Sequence, residues 1–204
     1  MNELLSVTGL TRTFGGVRAL SGCSLSVAGG TVTGLIGPNG SGKTTLFNVV
    51  TGYLRAEAGR VSFAGRDVTG YHPGRLYRQG LSRTFQQARV FGQLTVLENM
   101  VAAGGYPWWR LFSRRVGRAD RSRAGELLAE FRLDGLAEAY AAELSYGQRK
   151  LLEFAAVLMS APQLVLLDEP TAGVNPVLVE TMERHIRERN AAGVTFLIVE
   201  HDMP

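Results

Sequence analysis

A glycine-rich segment near the N-terminus carries residues whose types and spacing suit the binding of phosphate groups. It consists of Gly37, Pro38, Asn39, Gly40, Ser41, Gly42, Lys43 and Thr44, and it fits the pattern G-x-x-x-x-G-K-[ST]. Glycines let successive backbone N–H groups turn towards phosphate oxygens at the positive end of a helix. Lys43 adds a mobile positive charge, and the Thr44 hydroxyl is a ligand for Mg²⁺. The segment therefore predicts a site for nucleotide phosphates and their magnesium ion.

Two adjacent carboxylates in the C-terminal half predict the rest of this chemistry. Asp168 and Glu169 directly follow the apolar run 164–167, which is typical of a central parallel strand. Neighbouring side chains of an extended chain point to different sides, so the two carboxylates can hold different roles. We expect Asp168 to assist the metal ion. We expect Glu169 to act as the general base that polarises the attacking water.

The segments around these residues predict an α/β fold with a parallel sheet. Residues 31–36 indicate a short buried strand that ends at Gly37, and residues 43–50 indicate a helix closed by Gly52. Asn175 and Pro176 are typical of an N-cap followed by the first helical position. The helix that they begin ends at Gly193, and residues 195–199 form another buried strand.

The middle of the chain has helical rather than alternating patterns. A capping box, Thr95 to Glu98, begins a region that extends to about residue 159 and that we interpret as a helical lobe inserted between strands. This lobe contains a basic stretch next to Trp108 and Trp109, made of Arg110, Arg114, Arg115, Arg118, Arg121 and Arg123. A solvated helix face is the ordinary explanation of such a stretch. Contact with lipid headgroups or with a membrane partner is the alternative.

Composition and charge indicate a cytosolic globular protein. The 204 residues include 45% hydrophobic residues, and no run approaches the roughly 18 consecutive apolar residues of a membrane span. The first residues lack the basic region of a signal peptide. Cys23 is the single cysteine, so an internal disulfide is not possible. We expect Cys23 to be a small buried residue. The net charge of +4 permits contact with nucleic acid or an anionic membrane without establishing either.

The sequence Leu-Ser-Tyr-Gly-Gln at residues 144–148 resembles the signature motif of ATP-binding cassette (ABC) ATPases. That motif is usually written L-S-G-G-Q, and Tyr146 stands here in place of its first glycine. Its position between the glycine loop and Asp168 strengthens the match. The resemblance implies that Ser145, Gly147 and Gln148 contact ATP, at the beginning of a helix.

Further residues match ABC elements in the expected order. Gln86 corresponds to the family's glutamine loop, which reaches towards the metal and the water, although its neighbour Gln87 is easily confused with it. His201 corresponds to the switch histidine at the γ-phosphate, and Thr45 follows the glycine loop as a further ATP contact. Phe14 lies where the family stacks an aromatic ring on adenine, and a core position is the alternative.

The resemblance covers essentially the whole chain and implies its architecture. We expect a P-loop NTPase (RecA-like) core at residues 1–88 and 162–204, with N-terminal antiparallel strands, and an inserted helical subdomain at residues 89–161. Within the family, segments such as 14–16, 94–99 and 172–176 resemble the ATPase subunits of branched-chain amino acid importers. Urea and amide importers are close relatives. Since family members continue well past the switch histidine, we expect the C-terminal part of the family's domain to be missing from this chain.

This assignment implies cofactors, partners and a location. ATP and Mg²⁺ would bind between two cassettes that face each other head to tail, as a homodimer or a heterodimer. Membrane permease subunits, and indirectly a solute-binding protein, would be the other partners, and no nucleic acid is expected. The chain would lie in the cytoplasm, peripherally on the inner face of the plasma membrane.

Three other functions stay open at this stage. A soluble ABC ATPase of DNA repair, translation or cluster assembly is one, although neither a long coiled-coil insertion nor a second cassette is present. A GTP-binding switch is another, but the guanine-reading motif Asn-Lys-x-Asp is missing. A binding module without catalysis is the third, which the presence of Glu169 and His201 disfavours.

Overall fold

Two sheets form the framework of the protein in a computed structural model that describes residues 3–104 and 117–200. The N-terminal sheet is antiparallel with the order β2-β1-β4-β5. Its strands are β1 (Glu3–Phe14), β2 (Val17–Ala28), β4 (Ala58–Phe63) and β5 (Arg66–Asp67). The second sheet is parallel with the order β3-β8-β7-β6. Its strands are β3 (Val32–Ile36), β6 (Leu81–Arg83), β7 (Leu164–Asp168) and β8 (Thr195–Glu200).

Strand β7 lies inside the parallel sheet, as its apolar run predicts. It pairs with β6 on one side and β8 on the other, and all of its residues are buried. Its side chains alternate between two hydrophobic cores. Val165 and Leu167 pack into the core formed with the helical region, whereas Leu164 and Leu166 pack into the core below the N-terminal sheet. The carboxylate that ends the strand is therefore held by packing on both faces.

Strand β3 differs from the prediction of a buried strand. It pairs with β8 and lies at the edge of the parallel sheet among the residues that the structure describes. Val32 and Ile36 are 46% and 55% exposed. An apolar run can indicate a strand, but it cannot tell whether neighbours cover both of its faces. The strand prediction is confirmed, and the prediction of its burial is wrong.

Three helices accompany the sheets. They are α1 (Lys43–Val50), α2 (Pro73–Arg78) and, after β7, the helix α6 (Pro176–Ala191). The predicted cap of α6 is confirmed, because the Asn175 side chain accepts a hydrogen bond of 2.9 Å from the Leu178 N–H. Gly193 follows the helix with a φ of +98°, a conformation that glycine adopts without strain.

The described residues between β6 and β7 are mainly helical. It contains α3 (Val96–Ala102), α4 (Arg118–Glu130), two 3₁₀ turns (Asp134–Leu136 and Ala141–Glu143) and α5 (Tyr146–Leu158). The capping box at Thr95 and Glu98 is confirmed by reciprocal hydrogen bonds of 3.1 and 2.8 Å. These helices agree in type with the predicted inserted lobe, and its boundaries at residues 89 and 161 stay a prediction.

The predicted basic stretch is only partly described. Trp108, Trp109, Arg110, Arg114 and Arg115 lie outside the described residues. Arg118, Arg121 and Arg123 are exposed in α4, as expected of a solvated helix face. Cys23 is half-buried, and burial raises the pKa of its thiol. Within residues 3–104 and 117–200, no helix is both long and apolar enough to cross a membrane.

Candidate functional site

The glycine loop connects the end of β3 to the beginning of α1. Gly42 is the N-cap residue of α1 and has a φ of +92°. A Cβ atom at this position would lie 2.4 Å from the carbonyl oxygen of Ala19, so a side chain cannot be accommodated without movement of the backbone. The loop thus passes close to β2 at a point where only glycine fits. The beginning of α1 stays open to a ligand because its N-cap residue has no side chain.

Lys43 is buried within the loop that precedes it. Its Nζ donates hydrogen bonds to the carbonyl oxygens of Gly37 and Pro38, the latter at 3.0 Å. Both acceptors of the ammonium group are therefore neutral carbonyl oxygens of the loop. Hydrogen bonds to neutral carbonyls are weaker than bonds to an anion, so a phosphate group can compete for this lysine.

The glycine loop borders a cavity of about 400 Å³ that also receives residues from distant parts of the chain. Gln86 follows β6, and Glu169 follows β7, and both line this cavity together with the loop residues from Asn39 to Thr45. A neighbouring cavity of about 510 Å³ shares Thr44 and Gln86 and adds Asp168. The residues predicted to bind phosphate and metal, and the predicted general base Glu169, thus lie together at the carboxyl ends of parallel strands. Open α/β sheets bind ligands at this edge.

Asp168 is held by an arginine that the sequence analysis did not single out. Arg83 Nη2 donates to Asp168 Oδ2 at 2.7 Å, and both side chains are almost completely buried. The same guanidinium donates to Asn48 Oδ1 at 2.6 Å and to Thr51 Oγ1 at 3.3 Å, which connects β6 with α1. Burial lowers the pKa of Arg83, whereas its bond to Asp168 acts in the opposite direction.

The second carboxylate oxygen of Asp168 fits a metal ligand. Oδ1 is buried and has no hydrogen-bond partner within the described parts of the chain. A buried carboxylate oxygen without a partner is costly, and a divalent cation would compensate it. Thr44 and Gln86 line the same cavity and add a hydroxyl and an amide oxygen, which are hard ligands of the kind that Mg²⁺ prefers. The donor set therefore suits Mg²⁺.

Glu169 leaves the sheet with a backbone conformation that is uncommon for a residue with a side chain. Its φ is +48°, and its N–H donates to the carbonyl of Val199 at 3.1 Å. Gln86 Nε2 donates to Glu169 Oε2 at 2.9 Å. Positive φ at a residue other than glycine costs free energy and occurs frequently at functional sites. The Glu169 side chain lines the cavity at the glycine loop.

The signature residues form the N-terminus of α5. Ser145 Oγ accepts a hydrogen bond of 3.3 Å from the Gln148 N–H, and Gln148 Oε1 accepts one of 2.9 Å from the Ser145 N–H. A Cβ atom at Gly147 would lie 2.8 Å from a methyl group of Leu178, so α6 packs closely here. Among the described residues that line the two cavities, no signature residue is found. Within its own chain, the signature therefore does not line the cavity at the glycine loop.

Phe14 and His201 are the other residues predicted to contact ATP. Phe14 ends β1 and is 43% exposed, and the Arg12 guanidinium lies 4.9 Å from its ring centroid. It is therefore not a core residue. His201 lies outside the described residues.

The structure adds two buried charged residues of α5 to the site. Lys150 Nζ donates to the carbonyl oxygen of Gln86 at 2.6 Å. Glu153 Oε1 accepts hydrogen bonds from the N–H groups of Phe85 and Arg89 at 3.1 and 3.2 Å. The sequence does mark Lys150 as unusual, because the whole chain contains only two lysines, Lys43 and Lys150. No local pattern, however, indicates that α5 contacts the segment after β6.

Comparisons with known proteins agree with this geometry. Residues 20–172 match the sequence profile of the ABC transporter family. A probable branched-chain amino acid transport ATP-binding protein of Methanocaldococcus jannaschii is 42% identical over 98% of this chain and 80% of its own length. A high-affinity branched-chain amino acid transport ATP-binding protein of Pseudomonas aeruginosa is 37% identical over 98% of this chain and 82% of its own.

Solved structures give the same result. The ADP conformation of an ATP-binding cassette of an ABC transporter is similar with a TM-score of 0.88 and 39% identity, covering 100% of this chain and 83% of the other. A dimeric post-hydrolysis cassette bound to ADP and phosphate has a TM-score of 0.84 and 25% identity, covering 98% and 88%. These likenesses confirm the P-loop NTPase fold. The chain belongs to the ATP-binding subunits of ABC transporters, which are ATPases.

Proposed function

We propose that this chain is the ATP-binding and ATP-hydrolysing subunit of an importer for branched-chain amino acids. The observation that carries the proposal is the convergence of the glycine loop, Gln86 and Glu169 on one cavity. The names of its relatives support the class of solute, because two of them are ATP-binding proteins of branched-chain amino acid transport. Urea and amides are the alternative solutes.

The glycine loop binds the phosphate groups of ATP in this proposal. Backbone N–H groups at the beginning of α1 donate to the phosphate oxygens, and Lys43 leaves the carbonyls of Gly37 and Pro38 to meet the β- and γ-phosphates. The exposed ring of Phe14 stacks on the adenine. Thr44, Gln86 and Asp168 would hold Mg²⁺, which would supply positive charge that neutralises the triphosphate.

Hydrolysis is assigned to Glu169. Its carboxylate accepts a proton from the water whose oxygen forms the new bond to the γ-phosphorus, while the bond between that phosphorus and the bridging oxygen of ADP breaks. Gln86 already contacts Glu169 and therefore helps to orient this water. His201 contacts the γ-phosphate by analogy with the family. Most of the catalysis is positioning and electrostatic stabilisation.

The site is completed by a second cassette. Since the signature residues at the beginning of α5 lie away from the glycine loop of their own chain, they are free to bind the ATP held by a partner. The dimeric relative with ADP and phosphate supports this arrangement. Two chains, identical or paralogous, would enclose each ATP between one glycine loop and the opposite signature.

A groove next to Gln86 suits contact with the permease. It has a volume of about 280 Å³, is mostly apolar, and lies between the segment after β6 and the helices α3 and α5. Phe91 at its rim is 64% exposed. A short apolar helix of a membrane permease is the occupant that we propose, which would hold the chain on the inner face of the membrane. Movement of the helical subdomain, residues 89–161, would then be passed to the permease, which receives its solute from a binding protein.

The decisive test is Mg-ATP hydrolysis as a function of protein concentration, for the wild type and for Glu169→Gln. Specific activity that rises with concentration and is lost in the variant supports a dimeric site with Glu169 as base. If Glu169→Gln still binds ATP but does not hydrolyse it, Glu169 acts in catalysis and not in nucleotide binding. A folded sample that binds no ATP would overturn the proposal, and purification with soluble partners only would favour a soluble ABC ATPase.

A further inference from the structure

We propose that Lys150 and Glu153 of α5 are positioning residues that hold the segment 84–89 and make Gln86 follow the signature helix. We call these two residues the α5 anchor and the segment 84–89 the glutamine loop. The inference rests on the proposed function only in the role given to Gln86. The contacts themselves belong to a single chain and do not depend on a bound nucleotide.

The α5 anchor holds the backbone of the glutamine loop at three points. Lys150 binds the carbonyl oxygen of Gln86 itself, at 2.6 Å. Glu153 binds the N–H groups of Phe85 and Arg89, which precede and follow that residue. Backbone groups of a segment outside helices and sheets need partners from elsewhere, and here one helix supplies them from both sides of Gln86.

Both anchor residues are buried, so their charged forms are costly. Lys150 is 3% exposed and Glu153 is 6% exposed. Burial raises the pKa of Glu153 to about 7 and lowers the pKa of Lys150. Replacement of buried charged side chains by apolar ones of similar volume commonly leaves stability equal or greater. Two costly charges that face one loop are therefore better explained by the geometry of that loop than by stability.

The anchor connects two parts of the composite site. The N-cap residue of α5 is Ser145, which would meet the ATP bound by the partner chain, and the first turns of the helix carry Lys150 and Glu153. Gln86 then donates to Glu169 at 2.9 Å. Two hydrogen bonds, one to the backbone and one from the side chain of Gln86, thus connect the signature helix with the proposed general base. Closure of the signature on the partner's ATP would place Gln86 and Glu169 at the same time.

The test separates positioning from general stability with matched pairs of variants. Lys150→Met and Glu153→Leu remove the hydrogen bonds, whereas Lys150→Arg retains a donor and Glu153→Gln retains an acceptor. We expect kcat to fall by about tenfold or more in the first pair, since a hydrogen bond to a charged group contributes at least that factor. The dissociation constant for a fluorescent ATP analogue should stay within about twofold, and the second pair should recover most of the kcat.

A double-mutant cycle identifies the route of the effect. If Lys150 acts through Gln86, Lys150→Met should lower kcat no further in a Gln86→Ala background. Additive losses, or a normal kcat in Lys150→Met, would overturn the inference. Hydrogen exchange at the Phe85 and Arg89 amides provides a readout without turnover, and it should become faster in Glu153→Leu and not in Glu153→Gln. Unchanged exchange contradicts the anchor even if the chain has no ATPase activity, so the two proposals can fail separately.

Discussion

Arg83 and Asp168 form a buried ion pair in which Arg83 Nη2 lies 2.7 Å from Asp168 Oδ2. The pair occupies one carboxylate oxygen and leaves Oδ1 without a partner in the parts of the chain that the structure describes. Arg83 is itself fixed by Asn48 and Thr51 of the helix and turn that follow the glycine loop. The orientation of the proposed metal carboxylate is therefore set partly by the helix that begins at the phosphate-binding loop.

Replacement of Arg83 by methionine should destabilise the protein strongly. The change leaves the Asp168 carboxylate buried with neither of its oxygens compensated, and breaking a buried pair costs about 3–5 kcal/mol. Urea unfolding measures the difference. The matched control is Arg60→Met, which breaks the exposed Arg60–Asp67 pair and should change the free energy of unfolding by less than about 1 kcal/mol. Equal effects of the two variants would contradict the role assigned to Arg83.

Gly42→Ala should abolish nucleotide binding in a protein that still folds. The added Cβ would lie 2.4 Å from the Ala19 carbonyl oxygen, so the loop must move away from β2 and its N–H groups lose their arrangement. Gly65→Ala is the control, because Gly65 also has a positive φ but has no atom within 4 Å of the added Cβ. Equilibrium binding of a fluorescent ATP analogue should be lost in the first variant and retained in the second. Retained binding in Gly42→Ala would show that the close contact has no functional consequence.

The stability of the protein should depend on pH through Glu153. Its pKa is raised from 4.5 to about 7 in the folded state, mainly by burial and against the effects of Lys150 and Arg89. The folded state then binds more protons than the unfolded state between these pH values, so its stability falls as the pH rises through this range. Each pKa unit corresponds to about 1.4 kcal/mol.

Glu153→Gln should remove this dependence. The wild type should therefore lose stability relative to the variant between pH 4.5 and about 7, with no further change above that range. Denaturant unfolding of both proteins at several pH values measures the difference. A difference that grows in favour of the wild type as the pH rises would contradict the raised pKa.

Local patterns predicted the helices and strands and the residues at their boundaries. The four apolar residues before Asp168 indicated the central strand, Asn175 and Pro176 indicated the beginning of α6, and the capping box at Thr95 indicated α3. Each of these signals lies within a few residues of the feature that it predicts. Burial was less predictable, because the exposure of Val32 and Ile36 depends on which strands lie beside β3.

Contacts between distant residues were not predictable from the sequence alone. Arg83 pairs with Asp168, and Lys150 with the Gln86 carbonyl, across separations of 85 and 64 residues. Nothing in the local sequence of either residue indicates its partner. The scarcity of lysine did mark Lys150 as unusual, but the assignment of a role required the position of α5 next to the glutamine loop.

Mixing two inactive variants should restore hydrolysis if the site is shared between chains. Lys43→Ala removes the lysine of the glycine loop, and Ser145→Arg places a bulky charge at the N-terminus of α5, so each homodimer has two defective sites. In the mixed dimer one site carries both changes, whereas the other combines an intact glycine loop with an intact signature.

The ATPase activity of the mixture should therefore rise above that of either variant, towards that of a dimer with a single working site. Recovery requires that the signature residues do not serve the glycine loop of their own chain. In agreement, none of them lines either cavity at that loop. The matched control is a mixture of Lys43→Ala with Glu169→Gln, both of which belong to the same half of the site. In this mixed dimer each of the two sites has one defect, so no activity should return. No recovery in the first mixture would contradict the shared site, because a site within one chain cannot be repaired by a partner.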